Sequence, residues 1–401
     1  MEDTHSPSAG PVQDRLKIAI LVRRFVTTGG AERYAVEVAR RLALKHNVHV
    51  FAQEWSWNGR EKIVFHRIPK FFERPSLLNL IMFSYFTRKN LDESFDIIHS
   101  HERVTHFDTL TIHCPCFRTF ITQEKRWWKK IGIWISVAMS PRKLAYLGLE
   151  KKQFGFHEQR RLIAVSENVK KNVQANYPLP EDYFGLAYPG VDIQFGNKND
   201  AAKNRETTRT KLGIGQNDLV ILFVGTEFKR KGLDSLLRGF ALVARSGMKL
   251  VIAGGGKPDN YLILSKKLGI KDHVLFLGLV EDIENIYAMS DIYILPTLSD
   301  PAAMTPIEAM ASGLATIMSC SKYNGSAEHI AQKEAIILEN PENPQEIADS
   351  LSLVMDKAFR TDLSQRGRQL AKKLTWEKTT EDTVAVYQRI LQLKKESAFS
   401  G

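Results

Sequence analysis

Val220 to Asp234 reads VILFVGTEFKRKGLD. An apolar run ends at Gly225, a short loop follows, and Arg230-Lys231-Gly232 leads into a helix. A strand that feeds a helix through a short glycine-bearing loop is the repeating unit of a parallel sheet covered on both faces. Upstream, LKIAILVR (Leu16 to Arg23) passes through Gly29-Gly30 into a helical pattern from Ala31 to Lys45. Its apolar spacing runs through Ala35, Val36, Val38, Ala39, Leu42 and Leu44. Val48 to Ala52, Ile97-Ile98 and Leu162 to Val165 read as further strands of that half. Lys249 to Ala253, Val274 to Leu277, Ile292 to Leu295 and Ala315 to Met318 do the same downstream of Val220. Short, near-continuous apolar runs suit parallel strands buried on both faces.

The polar stretch Asn197 to Thr210 interrupts this alternation near mid-chain and reads as a linker or an exposed helix. The expected organisation is a tail over 1–14, an N-terminal Rossmann-like domain over 15–192, a linker over 193–210 and a second Rossmann-like domain over 211–375. A C-terminal helix over 376–401, beginning at Trp376, is expected to pack back toward the first domain. Two doubly wound α/β halves predict a ligand cleft at the carboxyl ends of their strands.

Composition is that of an ordinary globular chain: 43% hydrophobic and 25% charged residues in 401. The longest mainly apolar run, Ile131 to Met139, falls far short of the ~20 residues that span a bilayer. The N-terminus has no apolar signal-peptide core. Cys114, Cys116 and Cys320 are too few for a disulfide framework, which predicts a reducing, cytoplasmic location. The net charge of +11 is concentrated: Phe117 to Lys171 holds thirteen Lys/Arg against four Glu, a net +9. Such an excess suits nucleic acid, anionic lipid or an anionic substrate, and alone does not choose among them.

Arg230 and Lys231 at a strand's carboxyl end suit a diphosphate, whose oxygens a guanidinium and an ammonium neutralise. An exposed basic turn is the plainer alternative. In LPTLSDPAAMTPIEAMAS (Leu295 to Ser312), Thr305-Pro306 reads as an N-cap with proline at the first helical position. Glu308, three residues on, then completes a capping box. The functional alternative uses the same residues, with phosphate at the helix N-terminus, ribose hydroxyls on Glu308 and the sugar on Asp300. The glycine runs at Gly29-Gly30 and Gly254 to Gly256 are weak signals by themselves.

Taken in order, these motifs resemble family 4 of the glycosyltransferases, retaining enzymes of the GT-B fold. The resemblance takes in GGAER, DIIHSH (Asp96 to His101), AVSENVKKNV (Ala164 to Val173), YPGVD (Tyr188 to Asp192), VGTEFKRKGLD, the acids Asp300 and Glu308, and WEKTTEDTVAVYQRIL. It implies that Arg230 and Lys231 bind the donor diphosphate, Glu308 the ribose and Asp300 the donor sugar. Gly29, Gly30, Gly225, Ala303, Met304 and Thr305 complete the implied donor-binding set. The family usually has Glu where this chain has Asp300, and Gly where it has Ala303. His113, in LTIHCP, resembles the family's histidine near the reacting anomeric carbon; a buried structural histidine is the alternative. Its neighbours Cys114 and Cys116 fit no zinc spacing, and the resemblance implies neither metal nor other cofactor. His99, His101 and His106 are expected in loops or core.

QEKRWWKKIGIWISVAMSPRKLAYLGLEKK (Gln123 to Lys152) resembles the basic, aromatic membrane-contacting region of the family's lipopolysaccharide-core glucosyltransferases. Trp127, Trp128 and Trp134 beside Lys/Arg suit an interfacial helix on anionic lipid. A charged face over a tryptophan-lined core is the alternative. The expected function is retaining transfer of a hexose from a UDP-linked donor to a membrane glycolipid such as lipopolysaccharide core. The expected place is the inner face of the cytoplasmic membrane, with no nucleic-acid partner. A nucleotide-dependent oxidoreductase is a rival, but Gly29-Gly30 lacks the G-x-G-x-x-G spacing that activity needs. A basic nucleic-acid-binding protein is another.

Overall fold

The computed structural model describes residues 15–72, 76–122, 126–192, 195 and 201–399. Packing divides the chain into two units: Met1–Leu110 with His157–Arg160 and Tyr387–Gly401, and Thr111–Phe156 with Arg161–Val386. It contains two parallel sheets with helices around them. The first is built from β1 (Lys17–Leu21), β2 (Asn47–Ala52), β3 (Ile63–Arg67), β4 (Ile97–Ser100), β5 (Thr109–Ile112), β6 (Arg161–Ala164) and β7 (Phe184–Leu186), in the order β3-β2-β1-β4-β5-β6-β7. The second is built from β8 (Leu219–Val224), β9 (Met248–Ala253), β10 (Val274–Gly278), β11 (Ile292–Leu295), β12 (Ala315–Ser319) and β13 (Ile336–Leu338), in the order β10-β9-β8-β11-β12-β13. Both start outward from their first strand, reverse, and continue on its other side. That reversal is the switch point at which doubly wound sheets bind ligands.

The helices used below are α1 (Gly30–Leu42), α2 (Trp127–Ala138), α3 (Pro141–Gln153), α4 (Glu167–Gln174), α5 (Ala201–Lys211), α6 (Leu233–Ala241), α7 (Ile283–Met289), α8 (Thr305–Ala311) and α9 (Trp376–Phe399). The core of the second sheet is continuous from Val220 and Leu222 through Leu250, Ile252, Ile294 and Met318 to Leu236 and Phe240 of α6, all fully buried. In the first unit, Tyr387 of α9 meets His99 of β4 (2.6 Å), and Lys394 pairs with Asp108 (2.9 Å).

Of the two readings of Asn197 to Thr210, the exposed helix is the one found over its described residues. Its second half is α5, fixed by a fully buried Arg209 whose guanidinium reaches Asp291 (2.9 Å) and the carbonyls of Gly215, Gln216, Asp218 and Met289. A polar composition concealed one deeply buried cation. Residues 193–194 and 196–200 lie outside the described residues, as do 1–14. The sequence reading also omitted β3, β5, β7 and β13, of which β5 matters most. Its threonines, Thr109 and Thr111, are buried in the sheet, so the strand lacks the apolar run that marks its neighbours.

Candidate active site

β8 ends at Val224, and Gly225 continues its ladder with an N–H bond to Ala253 (2.9 Å). The loop then turns into α6 through Gly232, whose φ is 77°. A Cβ there would lie 1.9 Å from the Pro296 carbonyl oxygen, so only glycine allows this loop to close on the end of β11. That close approach brings Arg230 and Lys231 to the loop after β11. Leu298 N–H and the Thr297 hydroxyl both donate to the Arg230 carbonyl (2.9 and 3.2 Å).

Lys231 donates to Asp300 Oδ2, and Arg230 Nη1 reaches the same oxygen at 3.4 Å. Arg230 also donates to the Ser299 carbonyl (2.5 Å) and to Glu227. The Asp300 side chain is 9% exposed and that of Lys231 12%, so this pair is largely desolvated, whereas Arg230 keeps a 37% exposed side chain. Burial works against the Arg230 guanidinium, but Glu227 and Asp300 outweigh it and hold its pKa above the ordinary value. A cavity of about 650 Å³ opens beside Arg230, lined also by Phe228, Lys257, Asn260 and Tyr261.

The capping box is not formed. Met304 is the N-cap of α8, no side chain caps the helix, and Thr305 is its first residue. Instead Thr305 Oγ1 accepts from the Tyr293 hydroxyl (2.6 Å), and Glu308 Oε2 accepts from the Tyr287 hydroxyl (2.9 Å). Burial of Tyr293 pushes its phenol pKa far up, so it remains a donor. Glu308 is buried, at 3% exposure, and is held from the side by α7. The sequence reading missed both tyrosines, because each sits in an apolar run that looks like plain core. Ala303 is buried and its N–H faces Asn324 Oδ1 (3.4 Å).

His113 follows β5 directly and is half-buried. Desolvation pulls its imidazole down to about 4, so the ring is neutral at neutral pH. Gly29 and Gly30 lie in the first unit, where Gly29 caps α1 with φ 102° and Gly30 begins the helix. His99 is core. His106, bonded to Thr87 (2.9 Å), is likewise pulled down to about 4 by burial. None of the three cysteines is in a disulfide among the described residues, and Cys114 is exposed. Among the described residues no group of three or more His, Cys, Asp or Glu is arranged to hold a metal.

In the basic segment, Trp127, Trp128 and Trp134 of α2 are 69, 56 and 50% exposed, as are Ile131, Ile135 and Met139 at half or more. The tryptophans therefore line no core, and they form a bare aromatic face. Glu150 of α3 mounts the preceding loop, taking the N–H groups of Phe117 and Arg118 and the Tyr177 hydroxyl. Gln123 to Lys125 lie outside the described residues, as does the Lys130 side chain. No helix among the described residues is long and apolar enough to cross a membrane.

The chain matches the family model "Glycosyltransferase Family 4" over residues 28–195 and "Glycosyl transferases group 1" over residues 204–370. It is 26% identical to an uncharacterized glycosyltransferase of Methanocaldococcus jannaschii, covering 75% of this chain and 77% of the relative. It is 21% identical to the lipopolysaccharide glucosyltransferase WaaG of Escherichia coli, covering 78% and 82%. The crystal structure of WaaG superposes with a TM-score of 0.78 at 20% identity, over 92% of this chain and 99% of that one. Anabaena HepE, solved with UDP and glucose, superposes with a TM-score of 0.67 at 15% identity, over 94% and 100%.

Proposed function

We propose, for a chain that belongs to the family 4-like glycosyltransferases of GT-B fold and is a hexosyltransferase by class, transfer of a hexose from a UDP-sugar to a membrane glycolipid such as lipopolysaccharide core. One observation carries this reading: Arg230 and Lys231, in the loop after β8, converge on Asp300 in the loop after β11, eight residues before a Glu308 fixed by Tyr287. The uridine donor is supported by HepE, a structural neighbour solved with UDP and glucose. The glycolipid acceptor is supported by the likeness to WaaG and by the bare tryptophan face of α2.

In this reading the donor diphosphate lies on Arg230 and Lys231, Glu308 takes ribose hydroxyls, and Asp300 takes the sugar. A carboxylate has about four lone-pair sites, and the Tyr287 hydroxyl uses one of those on Glu308. The bond from the anomeric carbon to the diphosphate oxygen breaks, and the same carbon bonds to the acceptor oxygen from the same face. The acceptor's proton passes to the departing diphosphate. Arg230 and Lys231 stabilise the charge that develops on the leaving group, which is electrostatic preorganisation. Neutral His113 offers a hydrogen bond near the sugar rather than a charge. The reading calls for no metal or other cofactor. It places the protein on the inner face of the cytoplasmic membrane, held there by α2.

The test is a screen of UDP-, ADP- and GDP-hexoses against core glycolipid in anionic vesicles, with the anomeric configuration of the product read by NMR. Transfer from a UDP-hexose with retention supports the reading; an inverted product contradicts it.

A further inference from the structure

Asp300 carries its acid on a loop, and the structure holds that loop from two sides. On one side is the segment Tyr323–Ser326. Asp300 N–H donates to the Tyr323 carbonyl (2.7 Å), Gly325 N–H donates to the Asp300 carbonyl (3.0 Å), and Asn324 and Asp300 form a parallel bridge. The Ser326 hydroxyl donates to the Ala303 carbonyl (2.5 Å). Gly325 packs so closely that a Cβ would lie 1.9 Å from the Pro301 oxygen. On the other side is the start of α4, where the Ser166 hydroxyl donates to that same Pro301 oxygen (2.6 Å).

Glu328 joins the two sides. Its carboxylate accepts from the N–H groups of Glu167 (2.7 Å) and Asn168 (2.8 Å) at the start of α4, and from the Tyr188 hydroxyl (2.7 Å). Three donors converge on one anion, at the positive end of a helix. Charge-assisted bonds of this kind are about twice as strong as neutral ones. The contacts form a closed ring: Asp300-Pro301 to Ser166-Glu167, on to Glu328, and through Gly325 back to Asp300. Asn168, donating to the Ser321 carbonyl, adds a second tie between helix and segment.

We infer that Glu328 is a positioning residue for Asp300, setting the placement of the acid against Lys231 through this ring. The inference rests on the reading that Asp300 touches the donor sugar. Glu328 itself touches no substrate. Its removal therefore acts first on Asp300 and the sugar end of the donor, and reaches the nucleotide end only through the cations that Asp300 pairs, while Glu308, held by Tyr287, stays as it was. Glutamine in its place offers one oxygen and one NH₂ to three donors, so at least one N–H or O–H loses its partner. Misplacing a reacting group by about 1 Å costs roughly 100-fold in rate, which sets the scale.

The experiment uses the full chain with Glu328→Gln, and Tyr188→Phe as a milder variant that removes one donor and keeps the charge. Amide hydrogen exchange needs no donor and is read first. Faster exchange at Asp300 and Gly325, with β8 and β9 unchanged, is the expected result. Unchanged exchange at Asp300, or loss of protection spread evenly over the second sheet, overturns the inference. With UDP-glucose as donor probe, turnover should fall roughly 10- to 100-fold while affinity for UDP falls by clearly less. Equal loss of UDP affinity and turnover also overturns it. A wild-type protein that binds no UDP defeats the reading of the site instead, and the exchange result still decides the role of Glu328.

Discussion

Lys231 and Arg230 converge on a single oxygen of Asp300, so the acid assigned to the sugar is also the counter-ion of the cations assigned to the diphosphate. Removing Lys231 leaves a carboxylate of 9% exposure with Arg230 at 3.4 Å as its remaining cation in the cluster. Lys231→Ala should lower turnover about 100- to 1000-fold, the scale of losing one preorganised donor to developing charge. Circular dichroism should show an intact fold. Wild-type turnover in this variant removes Lys231 from the site.

Glu308 is fixed by Tyr287, and its carboxylate makes no capping bond to Thr305. Glutamine retains a carbonyl oxygen for the Tyr287 hydroxyl, so Glu308→Gln should change the melting temperature little. It should weaken UDP roughly 10- to 100-fold, since hydrogen bonds to charged groups contribute about 1.5–3 kcal/mol. Calorimetric titration and thermal melting on one preparation separate the two effects. Unchanged UDP affinity makes Glu308 a structural acid.

His113 gives a prediction in pH. Its folded pKa, about 4, lies below the ordinary 6.5, so between these values the unfolded chain binds the proton and the native one does not. Stability should therefore fall as pH drops from 6.5 toward 4, and the penalty is complete below 4. His113→Gln should flatten this limb in denaturant titrations at successive pH values. Part of the slope will persist because His106 behaves alike. A wild-type slope in the variant shows that His113 is not held neutral.

The doubly wound architecture was legible because β1, β8, β9 and β11 are apolar runs, the last three ending directly at glycine or proline. Arg230 and Lys231 were legible for the same reason: they directly follow a strand that is easy to see. The mounting of the acids was not. Tyr287, Tyr293 and Glu328 act through partners 12 to 161 residues away, and no local spacing encodes that. Thr305-Pro306 shows the converse error, a sequence pattern that fits a cap while the tertiary partner, Tyr293, takes the hydroxyl.

The aromatic face of α2 predicts membrane binding with two components. Anionic surfaces contribute roughly 1 kcal/mol per nearby Lys/Arg, screened over ~8 Å at physiological salt. Replacing Lys125, Arg126, Lys129 and Lys130 with Gln should remove most flotation with anionic vesicles. Replacing Trp127, Trp128 and Trp134 with Ala should remove the part that survives high salt. Both variants should still hydrolyse a soluble donor. If the lysine and arginine replacements float as well as wild type, α2 is not the contact.

The most direct test of the whole account is transfer of labelled hexose from a UDP-hexose into the lipid fraction of vesicles carrying core glycolipid, run side by side for wild type and Lys231→Ala. The account predicts label in lipid with the wild-type protein, and at most about one hundredth of that rate with the variant. Equal transfer by both, or transfer by neither across the UDP-hexoses while another nucleotide sugar is consumed, would contradict it.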